Sequence, residues 1–485
     1  MSDSNVKQKT LVGAVWKFAE RILAQAVSLI VSITLARLLA PTDYGVVGIV
    51  TVFFVFANVI ISGGLNTALI QKKDSDTKDY NTVFTVSFFV SLIIYIALFF
   101  AAPGIAQLYK QDILINIIRI MGLSLPIYAL KSIVCAYVSA NMQFRKFFFA
   151  TLGGTLISAV VGIVLALNGA GAWALVAQQL TNTSVDTLVL FCTTKLKLRF
   201  QLSFERLKTL LKYGSKILIS SLLGVVFNQI NPLVIGLKYT SADLSFYTKG
   251  RTFPETLSSS ITYTISSVLF PALSKYQDDK KQLLHCTRLY MRVASFIVFP
   301  IMLGFFGVSE NFVSVLLTDK WLPAVYYIRV ACIVFMFDVV AAGNCETIKA
   351  MGRSDIFLKI EVIKKTAYFI TIILFLLFTD SPEMLAISTL ICTAIQIVVN
   401  SQPNKKLLGY RFRYQIMDIV PNFIVASVMC LCVLLLGRLP LNPVPLLLLQ
   451  IIGGGIVYLL LAIVTRNSAL KVVFDILLRH IKTKT

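Results

Sequence analysis

The sequence predicts an all-α integral membrane protein with about fourteen transmembrane helices. Of its 485 residues, 57% are hydrophobic and 14% are charged, whereas a soluble domain has about 45–50% apolar and about 25% charged residues. The apolar residues form runs of about 20, which is the length a helix needs to cross a bilayer. These runs are too long for barrel strands, and lipid requires internal backbone hydrogen bonds, so we expect helices. A soluble globular protein and a large external catalytic domain are both excluded.

Each predicted element is justified by one such apolar run, and short polar or basic connections separate the runs. The N-terminus is polar and its first apolar run is already a full span, so we expect no cleavable signal. In chain order the predicted spans are 13–39, 45–70, 82–108, 113–138, 147–167, 171–192, 213–239, 244–274, 289–317, 324–350, 357–379, 383–401, 418–437 and 443–464.

The distribution of lysine and arginine predicts the orientation of these spans. The N-terminal tail and every second connection after it hold 28 cations, and the other connections hold four. Cytoplasmic segments carry the excess of such residues, so both termini are predicted to be cytoplasmic and the number of spans to be even. The formal net charge of +22 is largely explained by this topology, and we expect no nucleic-acid partner.

An internal repeat divides the chain near its middle. Lys17–Leu23 (KFAERIL) matches Lys212–Leu218 (KYGSKIL), and Asp43 matches Asp243 at an offset of 200, each after the first span of its half. Chance similarity between helices of limited composition is the alternative. The repeat predicts two pseudo-symmetric six-helix lobes with two appended helices, which is a layout of transporters.

Two amphipathic segments complete the predicted organisation. Phe204–Lys212 places Leu207, Leu210 and Leu211 opposite its cations, and the C-terminal tail has a similar pattern, so both are expected on the inner leaflet. The predicted domains are an N-lobe at 1–192, a cytoplasmic amphipathic linker at 193–212, a C-lobe at 213–401, helices 13 and 14 at 402–464 and a cytoplasmic amphipathic tail at 465–485.

About thirteen cations lie inside the predicted spans, where an arginine or lysine costs at least about 2.5–3.5 kcal/mol. Snorkelling from helix ends explains some of them, and pairing with helical neighbours explains others. The remaining excess predicts a cavity for an anionic, phosphate-bearing substrate. The candidate contacts are Arg21, Arg119, Lys249 and Arg251, followed by Lys364 and Lys365, one of which Glu361 can neutralise.

Uncharged polar residues and two acids extend the predicted site. Helix–helix hydrogen bonding explains any single amide, but together they suit a hydrated cavity that binds sugar. Asp338 is the acid nearest the middle of a span and is the candidate for proton or cation coupling, with a hydrogen-bonded structural role as the alternative. The polar-cavity candidates are Gln178, Asn182, Asn228 and Asn231, and the second coupling candidate is Asp186.

Three segments of the first half resemble a known family. They are Leu35–Gly45 (LARLLAPTDYG), Ser62–Gln71 (SGGLNTALIQ) and Asp79–Phe84 (DYNTVF). With them the chain resembles the Wzx-type polysaccharide transporters of the multidrug/oligosaccharidyl-lipid/polysaccharide exporter superfamily, most closely the colanic-acid type. The resemblance implies a bacterial inner-membrane flippase with alternating access. Its substrate would be an undecaprenyl-diphosphate-linked oligosaccharide repeat unit, moved from the cytoplasmic to the periplasmic leaflet for surface and exopolysaccharide synthesis.

Two other functions compete with this one. A multidrug-type, ion-coupled small-molecule exporter of the same superfamily would have a smaller, acid-rich cavity, and a membrane glycan polymerase or glycosyltransferase would need a large external loop. We therefore expect no enzyme, and as partners we expect membrane lipid and the polysaccharide polymerase machinery. We expect no metal and no cofactor, because the eight cysteines lack zinc-type spacing and no GxxxxGK[ST] motif occurs. Coupling would come from a proton or sodium gradient, as in an antiporter.

Overall fold

The computed structural model of the protein describes residues 23–72, 75–194, 196–277, 279–467 and 469–471. Over these residues the chain is built from α-helices joined by short connections, which confirms the predicted all-α class. The chain divides after Ser245 into two compact units. The predicted lobe and linker boundaries follow the sequence repeat and stay a prediction. The predicted tail at 465–485 lies mostly outside the described residues.

From Leu23 onward, where the structure describes it, the first unit contains nine helices and the start of a tenth. They are α1 (Leu23–Leu38), α2 (Pro41–Ser62), α3 (Leu65–Gln71), α4 (Thr77–Tyr109), α5 (Ile113–Gly122), α6 (Ser124–Ala140), α7 (Phe144–Leu167), α8 (Ala172–Thr193), α9 (Phe204–Lys238) and α10 (Ser241–Lys275). The predicted amphipathic segment forms the first turns of α9 and continues into the span without a break. Leu210 is buried in a core cluster and Leu207 packs against that cluster.

The second unit begins within α10 and, among its described residues, contains the helices that follow. They are α11 (Lys280–Leu316), a short 3₁₀ turn (Asp319–Trp321), α12 (Ala324–Met336), α13 (Asp338–Ala350), α14 (Ser354–Phe378), α15 (Pro382–Leu408), α16 (Phe412–Leu436) and α17 (Pro443–Val464). The last two helices pack along α11. Tyr458 donates a hydrogen bond to the carbonyl of Phe296 at 2.8 Å, and a Cβ on Gly454 would lie 2.7 Å from Val433, so this glycine permits close helix contact.

In the described part of the chain, ten helical segments are long and apolar enough to cross a membrane. Within the described residues, each of the fourteen predicted spans overlaps a helix or two consecutive helices, but a count of fourteen crossings stays a prediction. Apart from α1, which is described only from Leu23, the segments that fall short are α8, α10 and α14. These three helices hold most of the predicted site residues, so the polar character that predicted the site also lowers their hydropathy.

Three predicted spans differ from the structure, because each is broken into two helices. The span 45–70 is interrupted at Gly63 and Gly64, which both have a positive φ. The span 113–138 is interrupted at Leu123, whose N–H bonds to Ile120 three residues back, and the span 324–350 is interrupted at Phe337. Pro126 explains the break at Leu123, because proline has no N–H to bond to the carbonyl of Gly122. At the break near Phe337, Asp338 becomes the first residue of α13. Such interrupted helices are found where membrane proteins line a cavity.

The same capping contact occurs in both halves of the chain. Asp43 accepts a hydrogen bond from the N–H of Ala40 at 3.0 Å, and Asp243 accepts one from the N–H of Thr240 at 3.1 Å. The helices that follow begin at Pro41 and at Ser241. The structural offset of 200 residues therefore matches the offset of the sequence repeat.

Candidate functional site

A pocket in the second unit contains one of the predicted cations. It lies between α10, α12 and α15. We call it the second-unit pocket, and its lining residues are Tyr247, Arg251, Tyr327, Val330, Ala331, Val334, Phe335, Ala386 and Thr389. Apolar and aromatic side chains with a few polar groups are the usual lining of a ligand site.

Arg251 is held on three sides. Its Nε donates to Glu255 Oε2 at 3.0 Å, and its Nη1 lies 3.4 Å from the hydroxyl of Tyr247. Its guanidinium also lies over the ring of Phe335, 5.2 Å from the centroid. The i,i+4 pairing with Glu255 follows the spacing in the sequence. Arg251 therefore enters the pocket with its charge already balanced by one carboxylate.

A second group of charges lies next to this arginine. Asp338 lies within electrostatic range of Arg251, Glu255 and Lys364, and Lys364 forms an ion pair with Glu361 one turn earlier on α14. Three of the predicted site residues are thus brought together by α10, α13 and α14. The group has two cations and three acids, so the expected excess of positive charge is not found in it.

The remaining cations of this part of the site are less closely placed. Lys365 lies within electrostatic range of Glu361 and Lys364 and is half-buried. Lys249 is half-buried on α10, two residues before Arg251. Successive residues on a helix point about 100° apart, so Lys249 and Arg251 lie on different faces of α10.

The first unit pairs the other coupling candidate with a cation. Lys131 Nζ on α6 lies 2.5 Å from Asp186 Oδ2 on α8. Asn182, one turn earlier on α8, donates to the hydroxyl of Ser158 on α7 at 3.3 Å. Close packing of α7 on α8 sets these positions, because a Cβ on Gly154 would lie only 3.0 Å from Asp186. Both residues therefore contribute to contact between helices as well as to any cavity.

The other predicted residues are dispersed. Arg119 on α5 lies over the ring of Phe99 on α4, 4.3 Å from the centroid, and its Nε is buried without a hydrogen-bond partner in the described part of the chain. Gln178 packs against Gly162 of α7. On α9, Asn228 is exposed and Asn231 is buried. Arg21 lies outside the described residues.

Two buried acids were missed by the sequence analysis. Asp79 is fully buried and pairs with Lys72 at 2.6 Å and with Arg206 at 3.1 Å. Asp418 accepts hydrogen bonds from Arg288 and Arg292 at 2.6–3.0 Å. The signal in the sequence was an aspartate at the border of a predicted span, which we did not count as intramembrane. Arg292, which lies inside the predicted span 289–317, is thus paired with an acid of another helix.

Asp76 adds a further carboxylate to the ion-pair group around Asp79. Burial opposes its ionisation, but hydrogen bonds from the N–H of Asp79 and from Arg206 outweigh burial and hold the pKa of Asp76 below its usual range. The carboxylate of Asp76 therefore remains charged at neutral pH next to Arg206. The group joins the start of α4 to the start of α9.

The segment before α9 is attached to α4 along one edge. The N–H of Arg199 donates to Asn81 at 3.0 Å, that of Gln201 to Thr85 at 3.0 Å, and that of Ser203 to Thr82 at 3.3 Å. Alternate residues of an extended chain point the same way, which explains the spacing of two. Phe200 packs between the rings of Phe84, Phe88 and Phe89 on α4.

Residues 34–326 match the family described as polysaccharide biosynthesis protein. The chain is 24% identical to an uncharacterized membrane protein in the cps region of Klebsiella pneumoniae, over 96% of this chain and 97% of the relative. It is 24% identical to the succinoglycan biosynthesis transport protein ExoT of Rhizobium meliloti (strain 1021), over 59% and 58%. It is 21% identical to the lipopolysaccharide biosynthesis protein WzxC of Escherichia coli (strain K12), over 74% of this chain and 74% of the relative.

Among solved structures, the lipid II flippase MurJ in its inward closed conformation is similar to this chain. The TM-score is 0.74 at 17% sequence identity, and the match covers 94% of this chain and 99% of that chain. At this level of identity the likeness shows a shared fold.

Proposed function

This chain belongs to the polysaccharide biosynthesis protein family, and from that premise we propose that it is a flippase for lipid-linked glycans. It is a multi-pass membrane protein, and its function is transport in polysaccharide biosynthesis. In our proposal the substrate is an undecaprenyl-diphosphate-linked oligosaccharide repeat unit. The protein would move it by alternating access from the cytoplasmic to the periplasmic leaflet of a bacterial inner membrane, with both termini in the cytoplasm.

The observation that supports this proposal is the charged and polar character of α8, α10 and α14. A diphosphate and a glycan lose their hydration in hydrocarbon, so a carrier must offer hydrogen bonds and charge at membrane depth. Arg251, Lys364 and Asp338 are brought together in the second unit, and Lys131 with Asp186 in the first. Ionisable residues within a span usually mark a transport pathway.

We assign the diphosphate to the cations that the sequence analysis selected. Arg119 is the best placed of the described candidates, because its contact is with an aromatic ring and not with a carboxylate. Arg21, Lys249 and Arg251 would join it, with weaker roles for Lys364 and Lys365. Arginine suits this task because its fork of donors matches phosphate oxygens.

Replacement of Arg119 tests this assignment. Arg119→Gln should lower transport about tenfold or more, since a charge-assisted hydrogen bond contributes about 1.5–3 kcal/mol. Arg145→Gln is the matched control, because Arg145 also lies over a phenylalanine ring, at 5.5 Å from its centroid, but is exposed at the start of α7. Equal transport by both variants, at equal protein levels, would remove Arg119 from substrate binding.

We propose that a proton or sodium gradient supplies the direction of transport. Asp338 is the first coupling candidate because it begins a helix within a broken span and lies near both cations and acids. Asp186 is the second candidate, with Lys131 as its partner. Membrane lipid and the polysaccharide polymerase machinery are the proposed partners.

A deletion strain tests the function as a whole. Without this protein, complete undecaprenyl-linked repeat units should accumulate on the inner leaflet and the mature polysaccharide should be missing. Purified protein in liposomes should restore movement of those extracted lipids between leaflets without changing them covalently. Accumulation of free sugars or of incomplete repeat units would place the defect in synthesis and would contradict the proposal.

A further inference from the structure

Two arginines share one buried carboxylate where α11 packs against α16. Arg288 and Arg292 lie one turn apart on α11, and each donates to Asp418 through its Nε and Nη2 atoms. The side chain of Asp418 is 1% exposed, whereas both arginine side chains are 39% exposed. We call these two residues the arginine pair. Together with the carboxylate they carry one net positive charge, and this charge is accessible at the surface.

Each arginine of the pair keeps a second edge of its guanidinium for another partner. The Nε–Nη2 edge faces Asp418, so the edge formed by Nη1 and Nη2 points away from it. Among the described residues neither Nη1 atom has a hydrogen-bond partner, and neither atom is buried. Both Nη2 atoms bond to the same oxygen, Oδ1 of Asp418, at 3.0 and 2.6 Å, so the two free edges are close enough to share one ligand. Edges with two donors match the oxygens of a phosphate group.

An exposed apolar stripe on α16 begins beside the arginine pair. Tyr414 lies within electrostatic range of Arg288 and is 45% exposed. From there, exposed side chains follow at intervals of three and four residues, which places them on one face of the helix. The stripe consists of Tyr414, Met417, Pro421, Ile424, Val428, Leu431 and Leu435. An acyl chain on this stripe would place its headgroup beside the arginine pair, which favours a lipid over a soluble anion.

The arginine pair lies near the predicted cytoplasmic ends of both helices. Asp418 is six residues after the first residue of α16, or about 9 Å along the axis, and arginine side chains can extend over such a distance toward the membrane surface. Residues 402–413, around the connection before α16, hold no acid and four exposed cations, which are Lys405, Lys406, Arg411 and Arg413. Basic sites between helices on this side of a membrane bind anionic headgroups.

We propose that the arginine pair binds the headgroup of one anionic glycerophospholipid in the cytoplasmic leaflet. Phosphatidylglycerol fits the charge, because its phosphodiester carries one negative charge and the group of Arg288, Arg292 and Asp418 carries one net positive charge. An acyl chain of this lipid would lie on the exposed stripe of α16. The lipid is a bound partner and not the transported substrate, so the inference goes beyond the proposed function and does not depend on it.

Binding to the purified full-length protein in a neutral detergent tests the site, with native mass spectrometry measuring the affinity of the first bound lipid. The probes are phosphatidylglycerol, zwitterionic phosphatidylcholine, and glycerol 3-phosphate, which has no acyl chain. Arg288→Gln and Arg292→Gln each remove one free edge and leave Asp418 one arginine, while Tyr414→Glu keeps both ion pairs and adds a competing carboxylate. Arg353→Gln is the matched control, because Arg353 also binds an aspartate through Nε and Nη2, without a second arginine among the described residues.

The parent should bind phosphatidylglycerol about fivefold more tightly than phosphatidylcholine, which is the usual contribution of one basic charge beside an anionic headgroup. Each of the three variants at Arg288, Arg292 and Tyr414 should bind phosphatidylglycerol about fivefold more weakly and phosphatidylcholine like the parent. Arg353→Gln should bind both lipids like the parent, and glycerol 3-phosphate at the concentration of the lipid should displace neither. Equal affinity of the parent for both lipids, an equal loss in Arg353→Gln, unchanged binding by the three variants, or displacement by glycerol 3-phosphate would overturn the assignment.

Discussion

Asp418 provides the strongest single test of how the second unit is stabilised. The side chain is 1% exposed and accepts two hydrogen bonds from Arg288, two from Arg292 and one from Tyr410 at 2.8 Å. Asp418→Ala would leave two guanidinium groups and a phenol without this partner. Because the carboxylate joins α11 to α16, the loss should destabilise the packing of the two appended helices.

The size of the expected loss of stability follows from the burial of the Asp418 side chain. Removing one partner of a buried ion pair costs about 3–5 kcal/mol. Both arginine side chains are 39% exposed, so water recovers part of this loss and about 2–3 kcal/mol remains. For a unit of this size, each kcal/mol lowers Tm by about 2–4 °C, so Asp418→Ala should lower Tm by about 4–12 °C.

The assay is a thermal scan of the purified protein in detergent at one fixed rate, since membrane proteins often unfold irreversibly. Asp355→Ala is the matched control. Asp355 also accepts two hydrogen bonds of 2.9 Å from an arginine, Arg353, but it is exposed. Hydrogen bonding to Arg353 lowers the pKa of Asp355 to about 2. Exposed pairs contribute little to stability, so this control should keep the Tm of the parent. An unchanged Tm for Asp418→Ala would refute the reasoning.

Further predictions concern packing, topology and coupling. Gly64→Ala should lower Tm clearly, because φ is +66° and the new Cβ would lie 2.2 Å from a backbone oxygen of α9, whereas Gly455→Ala has open space and should not. With cysteine at one position at a time, labelling should reach Ser381→Cys from outside and Lys405→Cys from inside, and the reverse pattern would contradict the topology. Asp338→Asn should abolish the dependence of transport on the ion gradient, and unchanged dependence would exclude this residue from coupling.

Local patterns in the sequence predicted local structure well. The match of Asp43 with Asp243 is accompanied by the same capping contact in both halves, and the i,i+4 spacing of Arg251 and Glu255 became an ion pair. The Wzx-type resemblance is confirmed by the family match and by the relative WzxC. These features depend on neighbours in sequence or on motifs, and both are visible without a structure.

Contacts between distant segments could not be predicted in this way. The cationic partners of Asp186 and Asp418 lie on other helices, far away in the sequence, so no spacing rule connects them. The excess of cations over acids that was predicted for the spans is also smaller for this reason. Arg292 and Arg329 have acidic partners on other helices. The break at Leu123 was different, because Pro126 signalled it and the continuous apolar run obscured that signal.

The attachment of the 196–203 segment to α4 has a consequence for the order of synthesis. Chains are made and folded from the N-terminus, so α4 is in place before the ribosome completes this segment. Arg199, Gln201 and Ser203 then meet hydrogen-bond acceptors that already exist, and Phe200 meets an existing group of rings. The start of α9 is thereby attached to α4, which is already folded. The helices that follow are inserted after a fixed position and not after a flexible linker.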